Sequence, residues 1–287
     1  MREGFLMGGG LVAAGLMLEL SVGPVVWEAF RWPANVVVLA VFCALVLAVF
    51  LAGKKMRVCR FIASVHAAIP AMVFAVAFTM VMGLVRQKVN GSWLEGMLSF
   101  WPFVLVYAYM ALILGVVVLR RLAHLGNWRR DLPFLLNHLG LFVALVTATL
   151  GNADMQRMRM VTALGEPEWR AIDQNQKLCE LPLAIELKRF VMETYDDGSP
   201  KRFASDVQVL TKSGKNISAT IDVNKPLEVE GWKIYQYGYD TAAGKDSEIS
   251  IFELVSDPWL PVVYAGIGMM LAGAVCMFVT GGRRAGR

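Results

Sequence analysis

Pro133 to Met160 reads PFLLNHLGLFVALVTATLGNADMQRMRM, and this stretch decides how the rest of the chain is interpreted. It is an apolar run of helix length that contains one histidine, His138, and ends in a polar segment. An ionisable side chain inside a membrane span is costly and marks a functional site by default. Because neutral imidazole binds metals, haem iron included, His138 is a candidate ligand. The alternative is a histidine that only hydrogen-bonds a neighbouring carbonyl or a side chain such as Asn137.

Apolar runs near 20 residues long recur along the chain, which has 287 residues and is 56% hydrophobic. A run of this length suits the hydrocarbon core of a bilayer, and a soluble domain would not carry several of them. The sequence therefore predicts an α-helical polytopic membrane protein with six spans. The predicted spans are residues 5–22, 35–52, 62–84, 98–119, 133–151 and 259–280.

Basic residues cluster in alternate loops, after spans two, four and six. Loops rich in Lys and Arg stay on the cytoplasmic side of a membrane. The clusters consist of Lys54, Lys55, Arg57, Arg60, Arg120, Arg121, Arg129, Arg130, Arg283, Arg284 and Arg287. We therefore expect a multi-pass protein of the cytoplasmic (inner) membrane, with both termini in the cytoplasm and the long segment after span five outside it.

Charge is unevenly distributed along the chain, although its net charge is +5. Residues 152–257 contain 13 Lys and Arg against 18 Asp and Glu, whereas the remainder contains 15 against 5. The basic excess thus belongs to loops beside the membrane, and no nucleic-acid partner is expected. Glu19, near the outer end of the first span, is expected at the membrane interface.

Four segments follow from these patterns. Residues 1–61 hold two N-terminal spans, residues 62–151 hold three more, and residues 152–258 form an extracytoplasmic β-rich domain. Residues 259–287 hold the last span and a basic cytoplasmic tail. The start of the β-rich domain, residues 155–173, reads as a short helical exit from the fifth span.

Short β-rich runs separated by turn clusters fill the rest of that domain, which predicts a small antiparallel sheet or sandwich. The runs are residues 183–195, 203–210, 217–223, 231–239 and 248–254. In the fourth run, Tyr235, Tyr237 and Tyr239 recur with a period of two residues. This pattern favours one face of a strand packed into the sheet; the alternative is a surface for a partner chain or a planar apolar ligand.

The sequence contains no arrangement typical of a catalytic site. None of the four cysteines forms a CxxC motif, and neither a nucleophile with its base nor a phosphate loop nor a carboxylate dyad is recognisable. We therefore expect no disulfide framework, no catalytic residue and no metal site apart from the possible iron ligand. The cysteines are Cys43, Cys59, Cys179 and Cys276.

His66 is the second candidate ligand. It lies about four residues into the third span, and His138 about five residues into the fifth, or roughly 8 Å from the same predicted cytoplasmic end. Two imidazoles at similar depth are able to hold one metal or haem iron between two helices. Hydrogen bonding to neighbours such as Ser64 is the alternative for His66. His124, in a basic loop, is expected to be solvated.

Several strings have the composition and order of one known family. They are AAIPAMVFAVAFTMVMGLVRQ (67–87), NHLGLF (137–142), TLGNADMQRMRM (149–160), ELPLAIELKRFVMETYDDGSPKRFASDV (180–207), VNKPLEVEGWKIYQYGYD (223–240) and DPWLPVVYAGIGMMLAGAV (257–275). From the third span onward the chain resembles the ResB family of cytochrome c biogenesis, also called CcsB-like. Spans one and two are additional to the usual pattern of that family.

The resemblance implies a subunit of the system II cytochrome c synthase. Such a subunit pairs with a ResC/CcsA-like membrane protein that carries a tryptophan-rich WWD motif. Together they transfer haem across the membrane and attach it to the CxxCH thiols of an apocytochrome c. In that family a histidine in the span before the soluble domain is a transient axial haem ligand, and here that position is His138. Because the WWD motif is absent, the chain would be a non-autonomous part of a haem lyase.

Two other functions remain compatible with the sequence. One is a scaffold that holds the partner subunit and binds no haem. The other is a b-type electron-transfer subunit in which His66 and His138 ligate one permanent haem.

Overall fold

The computed structural model describes residues 1–88, 91 and 93–281, and for residues 200, 280 and 281 it describes the backbone alone. The chain divides into two compact units, Met1–Asp154 with Trp259–Arg287, and Met155–Pro258. The basic residues Arg283, Arg284 and Arg287, used to predict the orientation of the last span, lie outside the described residues.

Among the described residues, the first unit contains seven α-helices. Six of them are long and apolar enough to cross a membrane, so the prediction of a multi-pass helical protein is confirmed to that extent. The helices are α1 (Arg2–Val22), α2 (Ala34–Ala52), the short α3 (Arg57–Ile62), α4 (Val65–Leu84), α5 (Trp101–Ala123), α6 (Trp128–Gly151) and α7 (Leu260–Gly281).

Helix α5 packs against α1, α2, α4 and α6 and has the most buried surface of the long helices. Its contact with α1 is close because α1 has glycine where the helices meet: a Cβ on Gly15 would lie 2.5 Å from the backbone nitrogen of Pro102. Glu19 is 7% exposed, and its carboxylate accepts the Trp101 N–H at 3.1 Å. A carboxylate at a helix N-terminus is stabilising. Helix α1, to which the sequence suggested no role, therefore fixes the start of α5.

Helices α6 and α7 make the most extensive helix–helix contact among the described residues. A Cβ on Gly140 would lie 2.6 Å from the carbonyl oxygen of Gly266, and one on Gly266 would lie 2.7 Å from that of Gly140. About two turns after Gly266 in α7, Gly273 leaves room for the side chain of Asn137 in α6. Small residues let two backbones approach, which increases dispersion contacts where no hydrophobic driving force exists between helices.

The second unit is an antiparallel sheet of eight strands in the order β5-β4-β3-β2-β1-β8-β7-β6. The separate antiparallel sheet predicted from the sequence is confirmed. The strands are β1 (Gln156–Ala163), β2 (Pro167–Asp173), β3 (Leu178–Thr194), β4 (Pro200–Thr211), β5 (Asn216–Asp222), β6 (Leu227–Val229), β7 (Trp232–Tyr239) and β8 (Ile249–Ser256).

The prediction of a helix over residues 155–173 is wrong, because this segment forms β1 and β2. Strand β1 pairs along its whole length with β8, from Gln156 opposite Ser256 to Ala163 opposite Ile249. Tertiary pairing here overrides the helix propensity of a methionine- and arginine-rich segment.

All eight strands contribute side chains to one apolar core, so the sheet curls around its own inner face. In β7 the buried residues are Trp232, Ile234 and Gln236. Tyr235 and Tyr237 alternate with these and lie on the outer face, and Tyr237 is 48% exposed beneath the guanidinium of Arg159. A β-bulge between Gln236 and Gly238 returns Tyr239 to the inner face, where it lies opposite the buried Ser250 and packs against Phe190 and Phe203. The expectation that the three tyrosines share one packed face is therefore wrong for Tyr235 and Tyr237, whereas Tyr239 does pack into the sheet.

Candidate functional site

Helix α6 begins at Trp128, five residues before the predicted apolar span, because polar groups satisfy its first turn. The Asn127 side chain accepts the Arg129 N–H at 3.1 Å, and Asp131 accepts the N–H groups of Gly126 and Asn127. Side-chain acceptors at these positions replace the hydrogen bonds that a helix N-terminus lacks. His138 thus lies ten residues into the helix, about 15 Å from its first residue.

The imidazole of His138 is half-buried and held in one orientation by Phe134, one turn earlier. Its Nδ1 lies 2.8 Å from the Phe134 carbonyl oxygen, and the two rings stack with centroids 3.8 Å apart. A carbonyl oxygen only accepts, so Nδ1 carries a proton, and in the neutral imidazole Nε2 keeps its lone pair. No protein group among the described residues is bonded to Nε2. This is the tautomer and the backbone support that a metal-binding histidine has.

His138 faces α5. Phe134 and Phe142 lie four residues before and after it and therefore share its face of α6. The guanidinium of Arg121 in α5 lies 5.1 Å from the Phe134 ring centroid, and a Cβ on Gly115 in α5 would lie 2.9 Å from the Phe142 ring. The opposite face of α6 carries Asn137 and Gly140 against α7. The imidazole accordingly lies on the side of the helix turned toward α5.

The structure does not place His66 beside His138. His66 is exposed at the second position of α4, which packs on α1, α3 and α5, whereas α6 packs on α2, α5 and α7. Among the residues that the structure describes, no group of three or more His, Cys, Asp or Glu is arranged to hold a metal ion. His124 is exposed just after α5, with Nδ1 3.0 Å from the Arg120 carbonyl oxygen.

A polar cluster around Asp154 joins three parts of the helical unit, and the sequence reasoning missed it. The carboxylate accepts hydrogen bonds, each 2.7 Å long, from the Trp32 N–H, the Asn35 amide and the Trp259 indole N–H. Burial raises the pKa of Asp154, but these hydrogen bonds and the charge of Arg31 outweigh it and hold the pKa below its usual value. The available signal was an asparagine in the first turn of an apolar span, since a buried amide needs partners.

Residues 121–249 match the model of the ResB-like family, a stretch that includes His138 and most of the sheet. This match and the relatives below confirm the resemblance to the ResB family that the sequence strings indicated. Of the six long helices, only α6 lies within the matched residues; α1, α2, α4 and α7 lie outside them, as does all of α5 except its last residues.

Proteins named cytochrome c biogenesis protein CcsB are among the similar sequences. That of Prochlorococcus marinus (strain NATL1A) is 33% identical over 109 residues, 38% of this chain and 25% of the relative. That of Synechococcus sp. (strain CC9311) is 30% identical over 122 residues, 41% of this chain and 27% of the relative. The matches thus span about a quarter of the length of these relatives.

Among solved structures, one called cytochrome c heme lyase CcmF aligns with 85% of this chain and 40% of its own. The TM-score is 0.39 at 12% sequence identity.

Proposed function

We propose that this chain is a ResB-like subunit of a cytochrome c synthase, in which His138 is a transient axial ligand of haem during its transfer across the membrane. The observation that carries the proposal is the state of the His138 imidazole. Its Nδ1 proton is committed to the Phe134 carbonyl, and Nε2 is left with its lone pair inside a family-matched apolar helix.

The chemistry of the site fits haem as a substrate. Haem is a large, flat, apolar group, and an axial imidazole fixes its position. When bound, haem would supply the iron and the vinyl groups; this chain would supply the ligand and the apolar helix surface beside α5. A hydrogen bond from Nδ1 to a carbonyl increases the basicity of the ligating nitrogen.

The partners follow from the same proposal. A ResC/CcsA-like membrane subunit with a WWD motif would complete the reaction, and the sheet unit would position that subunit or apocytochrome c. In the proposed orientation, the termini are cytoplasmic and the sheet unit is extracytoplasmic. An alkaline phosphatase reporter fused after Asp196 tests this orientation, because the enzyme folds only outside the cytoplasm. An inactive reporter there, with an active one at the N-terminus, would reverse the assignment.

Absorbance spectra of the purified chain, alone and co-purified with its WWD-bearing partner, test haem ligation. We expect a haem Soret band in the wild type that His138→Ala removes, and that His66→Ala and His124→Ala leave unchanged. Retention of the band in His138→Ala refutes the proposed ligand. Loss in both His138→Ala and His66→Ala would identify a bis-histidine electron-transfer haem instead. Absence of haem from the wild type with its partner present would leave a scaffold.

A further inference from the structure

Two adjoining cavities open at the C-terminal end of α5, where its basic residues lie. The proposed function does not use these cavities. Their volumes are about 350 and 410 Å³, and they share Ala63, Arg120 and His124 as lining residues. The first cavity is also lined by Lys54 and Arg60. The basic cavity, as we call the two together, thus lies between the end of α2, the short helix α3 and the end of α5.

The positive charge in the basic cavity is largely uncompensated. Across residues 1–88, 91 and 93–281, no acidic side chain forms an ion pair with Lys54, Arg60 or Arg120. Arg121 is different, since its guanidinium lies 2.5 Å from the buried carboxylate of Asp131. Arg120 donates one hydrogen bond, to the Ala63 carbonyl at 3.0 Å, which leaves most of its five N–H groups for another acceptor.

The wall of the basic cavity reaches the candidate ligand. Phe134 lines the second cavity. The ring of Phe134 also stacks on the imidazole of His138, with ring centroids 3.8 Å apart. Val117 of α5 also lines this cavity and makes part of its surface apolar. A cationic rim and an apolar wall therefore adjoin the histidine, separated from it by one aromatic ring.

We propose that the basic cavity binds the propionate carboxylates of the haem whose iron His138 ligates. This inference rests on the proposed function. The propionates are the charged groups of haem and project from one edge of an otherwise apolar disc. Guanidinium groups bind carboxylates in a bidentate manner, and the free donors of Arg120 suit this geometry. His138 would then bind the iron, and Arg60 and Arg120 would favour a porphyrin whose propionate carboxylates are free.

Haem dimethyl ester is the probe that isolates this recognition, because esterification removes both carboxylate charges and leaves the iron. The full-length chain in detergent is titrated with haem and with the ester, and the Soret band is followed. We expect the wild type to bind haem about tenfold more tightly than the ester, as one charge-assisted hydrogen bond implies. The double variant Arg60→Gln/Arg120→Gln should lose most of this preference, and Arg120→Lys, which keeps the charge but not the bidentate donors, should keep only part of it.

Arg57→Gln is the matched control, because Arg57 is exposed on the same short helix as Arg60 and lines neither cavity. Equal affinity of the wild type for haem and its ester, with ligation still lost in His138→Ala, overturns the propionate site and leaves the proposed function standing. An undiminished preference in the double variant does the same. If the double variant loses co-purified anionic phospholipid but keeps the preference, the cavity is a lipid headgroup site. Failure of the wild type to bind either porphyrin, both alone and co-purified with its WWD-bearing partner, overturns both proposals.

Discussion

Replacing Asp154 by alanine should destabilise the helical unit, because this carboxylate joins three of its parts. The substitution removes three hydrogen bonds of 2.7 Å, and it leaves the amide of Asn35, which is fully buried, without its best acceptor. A hydrogen bond to a charged group contributes about 1.5–3 kcal/mol, and an unsatisfied buried polar group costs about 1–3 kcal/mol. These terms overlap, so the expected total is about 3–5 kcal/mol.

Thermal unfolding in detergent micelles, followed by tryptophan fluorescence, measures this loss. A decrease in Tm of about 10 °C is expected for the alanine variant, on the scale of about 2–4 °C per kcal/mol for a chain of this size. Asp154→Asn keeps an acceptor without its charge and should lose about half as much. Asp196→Ala, the same change at an exposed turn position, is the control.

The pH dependence of the same stability gives an independent check. Because the folded-state pKa of Asp154 is lowered, its contribution is present above the unfolded value of about 3.9 and is lost as the pH falls through the folded value. The wild type and Asp154→Ala should therefore converge in stability as the pH falls below the unfolded value and through the lowered folded value. If Asp154→Ala unfolds within 2 °C of Asp196→Ala at neutral pH, the cluster does not stabilise the fold and the reasoning is refuted.

Three further substitutions test the packing, the sheet and the histidine. Gly266→Ala should cost about 1–3 kcal/mol by micelle unfolding, because its Cβ would meet α6, whereas Gly268→Ala, which meets nothing within 4 Å, should be neutral or stabilising. Equal stability of the two would contradict the close α6–α7 contact. Glu168→Gln should cost about 1 kcal/mol at neutral pH. The guanidinium of Arg170 lowers the pKa of Glu168 to about 2, but solvent screens this ion pair and keeps the cost small. That difference should disappear between pH 4.5 and about 2, and a constant difference would disprove the assignment. Phe134→Leu should broaden the Soret band and weaken haem binding several-fold through loss of the stack on His138, with Phe134→Tyr restoring both; an unchanged spectrum would show that the stack has no positioning role.

The long apolar helices and most strands were predictable because they follow simple periodicities. Five strands of the sheet overlap runs bounded by turn residues, such as the Asp196–Pro200 cluster. The start of the sheet was not predictable in the same way. Residues 157–160 alternate arginine and methionine, both good helix formers, and pairing with β8 makes this segment part of a strand.

The polar contacts of the site were harder to predict from the sequence than its histidine. His138 is visible as the one ionisable residue in an apolar run, but its tautomer depends on a carbonyl four residues away. Two partners of Asp154, Asn35 and Trp259, lie 119 and 105 residues away from it in the sequence. Such pairs require the three-dimensional path of the chain. The basic residues of the cavity were recognised only as a marker of orientation.

The sheet begins and ends at one place in the fold. Its first strand, β1, lies beside its last, β8, and the flanking helices α6 and α7 are likewise neighbours with glycines at their contact. Residues 155–258 are therefore an insertion whose entry and exit coincide. Such a module can change in length or sequence without separating α6 from α7, so the sheet unit and the helical unit are able to diverge independently.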